Sequence, residues 1–336
     1  MKKIILLFTV IVHFSFGQEL KWTSIPLNVK TSIRGMSVVN DSVAWISGSG
    51  GYVARTLNGG IGWTQKLIPG FEKSEFRSLY AFSATSAIVA NSGSPSNILI
   101  TNDGGLNWQN VYSNEHKDAF FDGIDFWNDK EGIIYGDPID GKMLLLRTKD
   151  GGQHWEEIKE SPKLEEGEAS FAASGTGIRC LKKNRLVIAT GGKVTRLWNS
   201  NDKGLHWSFI PSPIIHGEST TGIFSFSFWN EKKASLVGGD YLKDSLTIDH
   251  NFYTLDGGKH WIRPTSPTRG YRECVEYLNE TLMIATGPGG TDVSNDGGFT
   301  WAPLSDEKSF HVVRKARTGS LVILAGNSKV AILKMK

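Results

Sequence analysis

Six times this chain spells one short phrase. "TNDGGLNWQ", residues 101–109, returns as "TKDGGQHWEE", "SNDKGLHWS", "TLDGGKHWI", "SNDGGFTWA" and, with Asn in place of Asp, "TLNGGIGWTQ". The tryptophans that close it are Trp63, Trp108, Trp155, Trp207, Trp261 and Trp301, at intervals of 45, 47, 52, 54 and 40 residues. A period of that size marks a repeat architecture, in which each unit buries its apolar surface only against its copies. The chemistry of the phrase is that of a turn. Asn58, Asp103, Asp150, Asp202, Asp256 and Asp296 can each accept backbone N–H groups in a tight loop. The second glycine of every copy suits a positive φ that a side chain fills only at a cost. The tryptophan then opens a strand and can pack beneath its own hairpin. An enzyme has little use for six copies of its chemistry; a repeated hairpin needs the same joint each time.

Upstream of each phrase lies a β-rich segment, a polar turn and an apolar segment ending in glycine, as in "IRGMSVVNDSVAWISG" and "FFDGIDFWNDKEGIIYG". Seven such segments stand against six turn phrases, because "HVVRKARTGSLVILAG" near the C-terminus has no turn phrase after it. The missing strand is at the other end. "KWTSIP", residues 21–26, repeats the strand that follows a turn phrase, as in "GWTQKLIP" and "HWSFIP". The expected fold is therefore all-β: a seven-bladed propeller of four-stranded blades, with the N-terminal strand completing the C-terminal blade and removing an exposed edge. Helical periodicity appears nowhere in the chain, and the propeller takes up residues 18–336 as one domain.

The first 17 residues, "MKKIILLFTVIVHFSFG", read as a secretory signal peptide: Lys2 and Lys3, then an apolar stretch, then Ser15-Phe16-Gly17 as a cleavage site. That stretch is far short of the roughly 20 residues of a membrane span, and no cysteine follows it to carry a lipid. Export to the periplasm or beyond as a soluble protein is expected. The formal charge of +3 includes Lys2 and Lys3, so the mature chain carries about +1 and gives no electrostatic case for nucleic acid or anionic membrane. Cys180 and Cys274 fall on inner strands of blades four and six, too far apart for a disulfide, and are expected to be free and buried.

The six turn phrases resemble the bacterial neuraminidase repeat, or Asp-box, of sialidases and other propellers. With "FWNDKEGIIYGD" and "FWNEKKASLVGGD" added, the mature chain is more similar to the photosystem II stability/assembly factor family. That resemblance implies a seven-bladed, non-enzymatic propeller that binds a protein or peptide partner, with an arginine-rich patch on one face. It implies nothing about a photosynthetic host.

If the innermost strand of a blade is A, the boxes join C to D and share a face with the A–B turns. The starts of the A strands then ring the channel on the opposite face. Reading those positions gives Arg34, Arg77, Asp122, Arg179, Phe224, Arg272 and the stretch around Arg314. These arginines are the candidate partner-binding residues, suited by their forked donors to an acidic peptide. Asp122, Asp137 and Asp240 are acids of the same face that could pair with them instead. A sialidase-like glycosidase is the competing reading, with a glycan the less favoured ligand. Tyr271, Asp137 and Asp240 could supply its chemistry, but the early Arg-Ile-Pro segment of such enzymes is missing and "SIRGMS" is the nearest stretch. No catalytic residue is assigned. No cofactor or metal is expected: "GSGGYV" precedes no helix, no motif supports an oxidoreductase, and His154, His206 and His260 belong to different blades. The acidic insert at residues 159–175 and the segment 239–251 are expected as flexible loops overhanging the arginine face.

Overall fold

A computed structural model describes residues 20–335. The expected signal peptide lies outside them. Among the described residues every regular element is a strand, and the strands form seven antiparallel sheets. Blade 1 comprises Ile33–Val38, Ala44–Gly48, Tyr52–Thr56 and Thr64–Leu67, from channel to rim. Blade 2 starts at Glu75–Ala81, blade 3 at Phe121–Phe126, blade 4 at Ile178–Cys180, blade 5 at Thr221–Phe228, blade 6 at Cys274–Tyr277 and blade 7 at Phe310–Lys315. Blade 5 also carries Glu168–Ala169 and Gly191–Gly192, joined to it through Gly191 and Gly222. Its rim is a single bridge between Tyr253 and Ile262.

Leu20–Pro26 is the outer strand of blade 7, paired with Lys329–Met335 from Leu20–Met335 to Pro26–Lys329. Trp22 stands edge-on to Phe310 at 5.3 Å, and its indole N–H reaches Glu307. Each blade is covered on both faces by its neighbours, so its middle strands are apolar on both sides. Ile133, Ile134 and Tyr135 of blade 3 are consecutive and all fully buried. The apolar clusters accordingly lie between blades: Trp45 and Val53 pack with Phe76, Leu79 and Val89, while Ile133 and Tyr135 pack with Ile178, Leu186 and Trp198.

The boxes fold as the sequence implies. In blade 2 the Asp103 carboxylate accepts N–H groups of Leu106 and Asn107, and Thr101 Oγ1 accepts that of Gly105. The N–H of Gly104 reaches the carbonyl of Thr85, which ties the box to the A–B turn of its own blade and puts both on one face. The second glycine lies at φ between 82° and 101° in all six boxes, well inside the glycine region. A Cβ on Gly152 would also stand 2.2 Å from Ile88 Cδ1. The first glycine position is left-handed too, and there Lys203 stands at φ 61°. A non-glycine residue tolerates that milder angle, and its ammonium is held by Glu131 at 2.7 Å.

Candidate functional site

The residues of interest are raised by irregularities in the innermost strands. The register of the first two strands slips by one residue between Ile33 and Gly35, Phe76 and Ser78, Phe121 and Gly123, Ile223 and Ser225, and Phe310 and Val312. At a bulge the extra residue leaves the ladder and its side chain is re-aimed. The extra residues are Arg34, Arg77, Asp122, Phe224 and His311, one per blade, and Glu273 takes the same place just ahead of Cys274–Tyr277. All six line one funnel of about 470 Å³, with Asp137, Ser170, Phe171, Tyr241 and Tyr271. A small residue follows most of these positions because a side chain would collide there: a Cβ on Gly35 would meet Ser47 Oγ at 2.2 Å.

Three of the expected channel-mouth arginines are elsewhere. Arg272 precedes Glu273 by one residue and so points to the opposite side of the strand. It is 0% exposed, its Nε donating to Asp292 at 2.8 Å and its Nη1 to the carbonyl of Tyr271. Arg179 and Arg314 stand three residues beyond the bulge position of their strands, about 10 Å down the channel. There they share Glu276, at 3.2 and 3.8 Å. Asp240 is buried at the end of its strand, accepting the N–H of Leu242 and facing Lys243 at 3.5 Å, and pairs with no arginine. Arg34 and Arg77 do reach the funnel. Arg34 donates to the carbonyl of Ala173 at 2.7 Å and to Glu273 at 3.2 Å. Arg77 is 31% exposed and bonds Glu75, itself 44% exposed, two residues away on its own strand.

Glu273 is the hub of the opposite wall. Burial would raise its pKa, but Arg34 and His311 outweigh that and hold the carboxyl below its ordinary value. His311 Nδ1 is 2.5 Å from it and Nε2 is 3.0 Å from Asn327 Oδ1. The funnel thus brings together the tyrosine and glutamate a sialidase-like mechanism would use, Tyr271 Oη lying 3.5 Å from Glu273 Oε1. The phenol is 1% exposed, and burial pushes its pKa well up, the reverse of what a nucleophile needs.

The acidic insert is an ordered element, not a flexible loop. Residues 172–175 are buried in the channel mouth. Ser174 Oγ bonds the carbonyl of Glu273 at 2.7 Å, the Gly175 carbonyl accepts from Arg314, and Phe171 stacks on Phe224 at 3.9 Å. The segment plugs the channel and turns it into a blind funnel. Only its early part overhangs, with Tyr241 of the 239–251 segment on the rim, half exposed.

A larger groove lies on the box face between blades 4 and 5, lined by Leu181, Arg185, Phe228 and Trp229 among others. Its arginine is already satisfied, Arg185 bonding Asn199 and lying over Phe228. The box histidines are exposed, and each is bonded to its own aspartate, His154 to Asp150, His206 to Asp202 and His260 to Asp256. Cys180 and Cys274 are both free; Cys274 is buried as expected, whereas Cys180 is partly exposed near the end of its short strand.

A profile of the family described as "Photosynthesis system II assembly factor YCF48" matches residues 15–115 and 88–208, together more than half of the sequence. The chain belongs to this family. Among solved structures it is similar to a YCF48 bound to D1 peptide, with a TM-score of 0.69 and 17% identity over 94% of this chain and 97% of that one. It is also similar to YCF48 from Cyanidioschyzon merolae, with a TM-score of 0.68 and 15% identity over 93% and 98% of the two chains. The propeller of U3-55K follows at 0.64 and 12% identity, over 93% and 98%. At these identities the likeness establishes the fold. A search of curated proteins gives no match.

Proposed function

We propose that this protein is an exported assembly-factor-like scaffold that holds a protein or peptide partner in the plugged funnel, binding it without turnover. The observation that carries the reading is Arg77. It stands at a bulge on the funnel wall, partly open to solvent, and its acid is an exposed neighbour on the same strand. An exposed pair of that kind is worth little, about 0–1 kcal/mol, so a partner's carboxylate can take the place of Glu75 at small cost. Arg34 extends the same wall, and the stacked rings of Phe171 and Phe224, with Tyr241, offer an apolar shelf beside it. A structurally similar family protein was solved with a D1 peptide, which supports a peptide as the class of ligand. The signal-like N-terminus supports export.

The test is affinity capture from the envelope fraction of the native host, comparing the wild-type protein with Arg77→Ala. Loss of a specific captured protein with unchanged melting supports the reading, and undiminished capture overturns it. Release of sugar from a fluorogenic sialoside, abolished by Tyr271→Phe, would transfer the funnel to the glycosidase class.

A further inference from the structure

The funnel has a second wall of opposite character. Asp122 occupies the bulge position of blade 3, next to Arg77 of blade 2 in the ring, and is 0% exposed. Neither of its carboxylate oxygens has a hydrogen-bond partner. Asp137, from the second strand of the same blade, lines the funnel with it and accepts only the N–H of Ser170 at one oxygen. Ser170 Oγ and Tyr135 Oη are buried without partners as well. Four oxygen-bearing side chains from blade 3 and the start of the plug are thus gathered with little to accept. Buried acceptors left unmade cost about 1–3 kcal/mol each, and more when charged. The bulge that lifts Arg77 to its ligand position lifts Asp122 into the same funnel, yet the two are not paired: Arg77 turns to Glu75.

We infer that Asp122 and Asp137, with Ser170, form an acidic subsite that takes a basic side chain, a lysine ammonium or its equivalent, from the same partner segment whose carboxylate meets Arg77. This rests on the funnel being the partner site. An ammonium has three donors and no acceptor, which suits the two carboxyl groups and the acceptor lone pairs of the Ser170 hydroxyl. The partner segment is therefore bipolar, carrying an acidic and a basic residue close together, and a purely acidic peptide leaves Asp122 unmatched. Specificity follows from that difference: a segment that also pairs Asp122 relieves an acceptor that the free protein leaves unmet, a gain a purely acidic peptide does not have.

The experiment uses two blocked amino acids, Nα-acetyl-lysine methylamide and Nα-acetyl-glutamate methylamide, with the glutamine analogue as control. Binding to the purified protein is read by ligand-observed NMR titration. The lysine probe should bind above the control and lose roughly tenfold or more in affinity on Asp122→Asn. The glutamate probe should keep its affinity in that variant and lose it in Arg77→Ala. Should Asp122→Asn fail to fold, Asp137→Asn carries the same expectation, since Asp137 is nearer the surface. A lysine probe that binds no better than glutamine, or equally well to wild type and the Asn variants, overturns the acidic subsite. A bound lysine probe with an unbound glutamate probe upholds it and instead removes the carboxylate reading of Arg77.

Discussion

Arg272 offers the sharpest test of how the structure divides its arginines. By sequence it belonged with Arg34 and Arg77; by structure it is a buried half of an ion pair. Its side chain is 0% exposed and that of Asp292 1%, and Arg269 bonds the other oxygen of Asp292 at 2.7 Å. Removing one partner of a buried pair leaves an under-compensated charge and costs about 3–5 kcal/mol. With Arg269 still in place, Arg272→Met belongs near the lower end of that span. Unfolding entropy grows with chain length, at about 2.1 cal/mol/K per residue, so for a chain of this size each kcal/mol moves Tm by roughly 1.5 °C. The expected loss is about 4–6 °C by differential scanning calorimetry or near-ultraviolet dichroism. Arg77→Ala, which breaks only an exposed pair, should stay within about 1 °C. Equal melting of Arg272→Met and wild type, or an equally large fall for Arg77→Ala, would refute the division between structural and partner-facing arginines.

Three further outcomes follow from the same geometry. Deleting residues 18–26 removes the outer strand of blade 7 and the Trp22–Phe310 contact, and should lower Tm by several degrees; unchanged melting would contradict the pairing of Leu20–Pro26 with the C-terminal strand. Gly152→Ala places a Cβ against Ile88 at a φ of 87° and should cost about 1–3 kcal/mol in a urea titration, and a neutral result would mean the box backbone yields freely. The box aspartates should make the fold acid-sensitive. Asp103 is held at about 2, below its usual 3.8, chiefly by the N–H and side-chain amide of Asn107, and Asp150, Asp202, Asp256 and Asp296 are lowered as well. A carboxyl depressed in the folded state contributes stability above its unfolded value and loses it as pH falls through the folded one. Tm should therefore fall as pH drops from about 4 toward 2, and less so in Asp103→Asn; a flat profile would deny the carboxylates their role in the turns.

The boxes were legible because everything that makes them is local. Thr101, Asp103, Gly105 and Trp108 lie within eight residues, so the hydrogen bonds that shape the turn are written in one phrase. The count of blades followed from the seven strand segments upstream of them, with residues 21–26 supplying the strand the last one lacks. The funnel was less legible because it depends on a one-residue slip. A strand alternates its faces, so displacing the reading by one residue exchanged Glu273 for Arg272, a funnel wall for a buried pair. In blades 4 and 7 the reading landed three residues too far, on Arg179 and Arg314. A signal was present: the bulged residue is followed by Gly35, Ser78, Gly123, Ser225 or Cys274, small residues that alignment on the arginines overlooks. The plug was hidden for another reason. Nothing in "ASFAASG" says that its backbone crosses the channel, since its contacts with Glu273 and Arg314 come from 99 and 139 residues away in the chain.

The central claim is that the partner is held in the plugged funnel, on the face away from the boxes. Site-specific photo-crosslinking measures this directly. A photoreactive residue replacing Tyr241, on the funnel rim, is compared with one replacing Trp229, in the box-face groove; both positions are partly exposed. The account predicts a covalent adduct between the native partner and position 241, lost in Arg77→Ala, and none at position 229. An adduct at 229 with none at 241 would place the partner on the box face and contradict it.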